Sequence, residues 1–457
     1  MKFGGIYSYL KEPANFRKGD VLSELQYVRT PGESYWIFHP FCTSNSHEAS
    51  WPTHFVSPIR VEMDEHSVVI FALLWILAGL DANEERNGRR RERWAAMSKK
   101  ERDERIRSIP RPSLCQPSFS PWAKVYVSKS DRALITLTGL NYEAFERLHQ
   151  LFAPLFYSHS PYLDNGRIRK LDSKESRGRR RVIRSETCLA LTLLWCRTTC
   201  QYWILSTTFG LVGTSCGDWL RFGKRVLVHV LCKRDDAMVR LPDGPKVVQY
   251  KAAVERKYPV LKNVAFVGDG LKILLQKAGD PTTQEAFYNG WKSGHYITNV
   301  FVFAPDGTVV MTMLNCPGAM HDSELASIGV PSIYHKIDEM YEKFGAKTVM
   351  DSAFSASGKE SIIKSTTKER ISTTAENAHE YEMLCAATSI RQAAEWGMRA
   401  LQASFSRLKA TWPYEEKDER LWGLTLIVYL YNFAANNMDL NQIRQVYWKE
   451  LYGSNYS

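Results

Sequence analysis

The apolar pattern of this chain changes its period between Pro242 and Pro245, and that change limits what either side can fold into. Upstream, apolar residues recur at three- and four-residue spacing: Leu189, Leu193 and Leu194, then Ile204 and Leu205, then Trp219, Leu220, Phe222, Val226, Leu227 and Val230. Helices packed by one face read this way. Downstream, short runs rich in β-branched and aromatic residues alternate with turn residues and further helical stretches, the pattern of a mixed α/β fold. At roughly 150 residues per domain, 457 residues suggest about three domains. The expected division is 1–120, an N-terminal region of unassigned role with a charged linker; 121–245, a helical, helix-turn-helix-like region; and 255–457, an α/β domain with C-terminal helices.

Composition narrows the class. Apolar residues at 44% and charged residues at 24% exclude a wholly disordered, collagenous or coiled-coil chain. The longest apolar run, residues 68–80, holds 13 residues; it is too short to cross a bilayer and reads as a buried helix. No basic segment followed by an apolar core opens the chain, so neither a secretory signal nor a membrane role is expected. Nine cysteines include no C-x-x-C pair. The loose set Cys196, Cys200, Cys216, His229 and Cys232 sits in apolar helical runs and reads as reduced, buried thiols rather than metal ligands.

The net charge of +11 is concentrated. Residues 165–184 hold nine Lys or Arg against two acids, with Arg177, Arg179, Arg180, Arg181 and Arg184 at the centre. Uncompensated basic runs neutralise phosphates and release counterions, so this one favours nucleic acid, against the alternative of a surface loop that merely solubilises. A second run, residues 86–107, mixes both signs and reads as an exposed helix or linker. After the basic run, 201–209 reads as a short helix ended by Gly210, with Thr214 or Ser215 capping a longer one. Helix, turn, helix is the layout of a helix-turn-helix module, with Arg221, Lys224 and Arg225 expected on the polar side of its second helix. Gly213-Thr-Ser215-Cys-Gly217 fits G-x-S-x-G, but no strand precedes the serine, so a hydrolase elbow is set aside.

In the α/β half, Val264-Ala-Phe-Val267 reads as a strand delivering Asp269 to a Gly-Asp-Gly turn. Residues 296–304 and 308–314 form a hairpin around Pro305-Asp306-Gly307, which makes Asp306 a turn residue. Asp322 or Ser323 caps the next helix, Lys347-Thr-Val-Met350 is a strand delivering Asp351, and 375–409 is a helix carrying Glu395. Carboxylates at neighbouring strand ends converge on one crevice. Asp269, Asp351 and Glu395 would repel one another there unless a hard divalent cation, Mg2+ or Mn2+, neutralised them. Two such ions about 4 Å apart can activate water and stabilise a leaving oxygen in phosphodiester cleavage. The bland alternative is three unrelated surface acids.

Several motifs follow one another along this half: Asp269-Gly270 after the apolar strand, and Tyr288-Asn-Gly-Trp-Lys-Ser-Gly294-His295-Tyr-Ile-Thr-Asn299-Val. Pro317-Gly318-Ala-Met-His321-Asp322-Ser323, Asp351-Ser-Ala-Phe354, Arg391-Gln-Ala-Ala-Glu395-Trp-Gly397 and the late Leu440-Asn-Gln-Ile-Arg444-Gln-Val-Tyr447 come after them. In these motifs and their order, the stretch 264–409 resembles the catalytic domain of PIF/Harbinger-type transposases, the DDE superfamily endonucleases with a ribonuclease H-like fold. Leu271 stands where Thr is expected and Phe354 where Tyr is usual.

The resemblance implies that Asp269, Asp351 and Glu395 bind two metal ions as a catalytic triad, with Asp322 a further metal candidate that competes with a helix-capping role. His321 and Arg391 are candidates for phosphate contact or for an ion pair holding the acidic cluster. No last sheet strand is legible between Asp351 and Glu395, which keeps Glu376, Glu380 and Glu382 open as alternatives. The implied activity is a DNA transposase or transposase-derived endonuclease that hydrolyses phosphodiesters and transfers strands at transposon ends, in the nucleus. It would act as a homo-oligomer, beside a Myb-like DNA-binding protein. Two alternatives stand: a domesticated, catalytically silent DNA-binding protein, and a structure-selective nuclease of the same fold.

Overall fold

The computed structural model describes residues 25–30, 33–38, 109–161, 167–171, 181–327, 329, 331–354, 359–375, 377–438 and 441–453. The apolar run 68–80, the mixed-charge run 86–107, Arg177, Arg179, Arg180 and Glu376 lie outside them. The chain divides into two compact units, Met1–Arg107 and Ser108–Ser457. In the first, strands β1 (Leu25–Thr30) and β2 (Glu33–Phe38) pair antiparallel.

In the second unit, the helical region and the α/β region expected as separate domains share one core. Six helices come first: α1 (Pro121–Ser128), α2 (Asp131–Thr138), α3 (Tyr142–Ser158), α4 (Ser185–Arg197), α5 (Tyr202–Phe209) and α6 (Gly213–Leu231). Ser120, Ser130 and Asn141 cap the first three through their side chains, satisfying backbone N–H groups that have no partner inside the helix. Gly210, at φ +67°, ends α5; a Cβ there would lie 2.6 Å from the Cys115 carbonyl oxygen. Trp122, Phe145, Phe156, Phe209 and Phe222 fill the space between these helices.

The 242–245 segment, read from the sequence as a linker, starts a helix. Asp243 caps α7 (Gly244–Lys257) and Pro245 occupies its first turn, where a missing N–H costs nothing. The sheet follows: β3 (Val264–Leu274), helix α8 (Pro281–Phe287), β4 (Tyr288–Asn289), β5 (Gly294–Phe303) and β6 (Val309–Pro317). Helices α9 (Asp322–Ser327) and α10 (Ile333–Phe344) precede β7 (Lys347–Met350) and β8 (Ile362–Lys364). The chain continues through α11 (Ile371–Thr374), α12 (Ala378–Ser404), α13 (Lys417–Asn437) and α14 (Gln442–Tyr452). The strand order is β4-β5-β3-β7-β8, with β6 also on β5. β5 runs antiparallel to both β3 and β6, while β3, β7 and β8 are parallel.

Two sequence expectations change here. β3 does not turn at Gly268-Asp269-Gly270; it runs through to Leu274 because residues 267–274 pair continuously with 296–303 of β5. β8, which the sequence did not reveal, supplies the last strand beside β7 with only three residues.

One buried charge cluster joins the two regions. Lys224 and Arg225 on α6 are 5% and 3% exposed, and both reach Glu419 on α13. Lys224 Nζ lies 2.5 Å from Glu419 Oε2 and Arg225 Nη2 lies 2.7 Å from Glu419 Oε1. Burial pulls the Lys224 ammonium and the Arg225 guanidinium down in pKa, Arg225 to about 10, and Glu419 opposes both. Nearby, Trp195 of α4 meets Trp412 edge-on at 5.8 Å, and Arg407 Nε donates to the Trp195 carbonyl. Removing Glu419's charge strands two cations in the core. Glu419→Gln is expected to destabilise the protein by about 3 kcal/mol, read from urea unfolding; a loss under about 1 kcal/mol would show that the cluster is not what ties the two regions.

Candidate active site

Asp269 sits midway along β3, the central strand, and its position there follows from alternation. Val267 and Asp269 stand directly opposite Phe303 and Phe301 of β5 and share their face. Helix α12 covers that face: a Cβ on Gly397 would lie 2.9 Å from the Phe303 ring. Gly268 and Gly270 lie on the other face, and both are close approaches. A Cβ at Gly268 would meet Met350 Sδ at 2.3 Å, and one at Gly270 would meet Asp322 Oδ2 at 3.2 Å.

Asp351 follows the last residue of β7, whose Met350 pairs with Gly268. The strand end therefore emerges one residue from Asp269, on the adjacent strand. Glu395 and Arg391 are one turn apart on α12, on the same side of the helix. Arg391 Nη2 lies 2.8 Å from Glu395 Oε1, and Nη1 lies 3.9 Å from Asp351 Oδ1. The guanidinium thus bridges a strand-end aspartate and a helix glutamate.

Asp269 is half-buried and accepts a 2.7 Å hydrogen bond from the Gly270 N–H. Burial raises its carboxyl pKa to about 6; the Gly270 N–H lowers it, Asp351 and Glu395 raise it, and Arg391 lowers it. Asp269, Asp351, Glu395 and Arg391 thus form one electrostatic group. As they stand, however, no three His, Cys, Asp or Glu side chains among the described residues are gathered closely enough to hold a metal ion. The donors are hard carboxylate oxygens of the kind Mg2+ or Mn2+ takes, and the buried one is under-compensated. The chemistry fits such an ion; the position between Asp351 and Glu395 is held by Arg391.

The other sequence candidates are placed as follows. Asp322 is not brought to the group: it packs over Gly270 on the opposite face of β3, with Lys272 Nζ 3.6 Å from its Oδ1. That oxygen is buried and accepts no hydrogen bond. Neither Asp322 nor Ser323 caps α9; Asp322 is its first residue, and the His321 ring nitrogen meets Ser323 Oγ at 2.9 Å. Glu382 is exposed and Glu380 half-buried near the start of α12, about 20 Å along the helix from Glu395 at 1.5 Å per residue. Lys272 escaped notice in the sequence because only the Gly270 approach reveals Asp322 as its neighbour.

The expected DNA-facing residues separate into two kinds. Arg184 is exposed just before α4, and Arg221 is exposed on α6 in an ion pair with Asp218 at 2.6 Å. Arg181, by contrast, lies over the Phe156 ring at 4.5 Å and donates to the His159 carbonyl. Lys224 and Arg225 are the buried partners of Glu419. From Phe222 to Val228 every residue of α6 is buried, so this helix is the core of its bundle and offers no continuous basic face there. The thiols of Cys188, Cys196 and Cys216 are likewise buried and free. Ser215 of the G-x-S-x-G string lies in the first turn of α6 with no strand before it. Among the described residues no helix is long and apolar enough to cross a membrane.

The raised pKa of Asp269 has a consequence for stability. A carboxyl whose folded pKa exceeds its unfolded value holds its proton better when folded, so its contribution is full below about pH 4 and is lost as pH rises through about 6. Asp269→Asn should therefore be more stable than wild type by about 2 kcal/mol at pH 8 in EDTA, with the difference vanishing near pH 4. Denaturant midpoints across that pH range check it; a variant less stable at pH 8 would contradict the environment assigned to Asp269.

No curated protein matches the chain. Among solved structures, a chain in "Crystal structure of a pre-cleavage Mos1 transpososome" is similar at 12% identity over 59% of this chain and 80% of that one, with a TM-score of 0.21. Residues 268–432, which contain Asp269, Asp351 and Glu395, match the family model of the DDE superfamily endonuclease.

Proposed function

We propose that this protein is a DNA transposase or transposase-derived endonuclease that cuts phosphodiester bonds at transposon ends and joins the freed strand to target DNA. What supports this reading most is that Asp269 on the central strand, Asp351 at the neighbouring strand end and Glu395 on the covering helix act on one another electrostatically, within the segment that matches an endonuclease family. Three antiparallel strands followed by two parallel ones, with acids at the junction, support a ribonuclease H-like catalytic core.

Asp269, Asp351 and Glu395 are the residues that would hold one or two Mg2+ or Mn2+ ions. Such ions supply Lewis acidity and a water of lowered pKa beside the scissile phosphate. Asp269, half-buried and fixed by the Gly270 N–H, sets the floor of the site; Asp351 and Glu395, each about one-third exposed, form its open side. Exposed Arg184 and Arg221, together with Arg177, Arg179 and Arg180, are assigned to DNA phosphates. The family resemblance of the motifs extends the reading to a nuclear homo-oligomer acting on double-stranded DNA beside a Myb-like partner.

A second reading has one observation in its favour. Arg391 stands between Asp351 and Glu395, as it would in a DNA-binding protein that no longer cuts. Cleavage decides between the two. A plasmid carrying the gene's own flanking DNA is incubated with Mg2+ and either wild type or Asp351→Asn. Cutting by wild type and only background by the variant is expected. Equal cutting by both would remove Asp351 from the site, and binding without cutting by either, with the partner protein added, would favour the silent protein.

A further inference from the structure

The bridging guanidinium has an incomplete set of partners. Its Nη2 is well placed on Glu395 at 2.8 Å, its Nη1 is at the edge of ion-pair range from Asp351 at 3.9 Å, and its Nε is buried with no hydrogen-bond partner. An unpartnered buried donor on a charged group is costly. A carboxylate cluster without any cation costs more, because like charges in a half-buried crevice repel. Arg391 thus relieves the repulsion around Asp351 and Glu395 without satisfying its own hydrogen-bonding capacity.

We propose that Arg391 is a resident counter-cation of the site, one that holds Asp351 and Glu395 in the absence of metal and that a divalent cation must displace in order to bind them. This rests on the reading of Asp269, Asp351 and Glu395 as metal ligands. The same carboxylate oxygens serve both cations, so occupancy is mutually exclusive: Glu395 Oε1 is engaged by Nη2, and the gap to Asp351 is spanned by the guanidinium plane. Arg391 and Glu395 share one face of α12 a single turn apart, so the guanidinium can leave by side-chain rotation while the helix stays packed on β3. Arg391 is then a positioning residue that sets the threshold of metal concentration at which the site loads.

The test is Mn2+ binding to the full chain without DNA, followed by the EPR signal of free Mn2+, for wild type, Arg391→Gln, Arg391→Lys and Asp351→Asn. Arg391→Gln is expected to bind Mn2+ about tenfold more tightly than wild type, the factor that one charge-assisted hydrogen bond commands. Its melting temperature should be below wild type in EDTA and should rise more than wild type's on adding Mn2+. A merely structural arginine would lower stability under both conditions and would not tighten binding. Arg391→Lys keeps the charge but cannot bridge two carboxylates, so it should also bind Mn2+ more tightly than wild type; it decides the matter where the glutamine variant does not fold. Equal or weaker binding by the Arg391 variants, with Asp351→Asn abolishing binding, overturns this proposal alone. Absence of Mn2+ binding in every protein overturns the metal-site reading, and this proposal with it.

Discussion

Asp269, Asp351 and Glu395 act on one another electrostatically, and carboxylates so placed must be offset by positive charge; the arrangement of this fold around β3 is what imposes that condition. Two unit charges about 4 Å apart interact by roughly 4 kcal/mol at the effective dielectric of a protein surface, a large fraction of a domain's stability. Burial is the largest cause of the raised pKa of Asp269, Asp351 and Glu395 add to it, and the Arg391 bridge is the compensation the chain carries itself. Both depend on backbone approaches that side chains would block. Gly268 lets Met350 cross beside β3, which brings Asp351 to the level of Asp269. Gly397 lets α12 settle against Phe303, which brings Glu395 and Arg391 over the same face.

Elsewhere, the buried charges of Lys224, Arg225, Arg420 and Asp306 are paired within the scaffold. Glu419 holds Lys224 and Arg225 where the helical bundle meets the sheet. Arg420, 1% exposed, donates through Nε to Asn315 Oδ1 and through Nη1 to the Pro413 and Tyr414 carbonyls. Asp306, read from the sequence as a turn residue, is one; it is also buried and accepts hydrogen bonds from Tyr250 and from Thr308. These groups fix the scaffold and leave chemistry to the half-exposed cluster on β3, β7 and α12.

The strand and helix identities were largely legible because their periods are strong. The start of the strand carrying Asp269, the strand that ends at Met350 before Asp351, the hairpin around Asp306 and the helix carrying Glu395 lie where the apolar pattern puts them. The apolar spacing of that helix and its end predicts Leu384, Ile390, Trp396, Met398, Leu401, Phe405 and Leu408 as buried, and of these only Trp396 is half-exposed. What could not be read were features that depend on tertiary pairing. β8 has three residues and no alternation long enough to detect, and β3 continues through two glycines because β5 pairs with it. The basic face of α6 failed for the same reason: spacing identifies a polar stripe on one helix, but only the packed structure shows Glu419 waiting opposite Lys224 and Arg225. Asp322 was placed by a motif, and the alternation of β3 sets it on the face away from Asp269.

Asp269, Asp351 and Glu395 are proposed to make one divalent-cation centre. Diffraction from crystals soaked in Mn2+, with anomalous scattering recorded to locate the ion, addresses it most directly. Mn2+ is expected in contact with Asp269 and Asp351, with Arg391 turned away from Glu395. Crystals with the three carboxylates ordered, Arg391 still bridging and no Mn2+ among them at saturating concentration would contradict it.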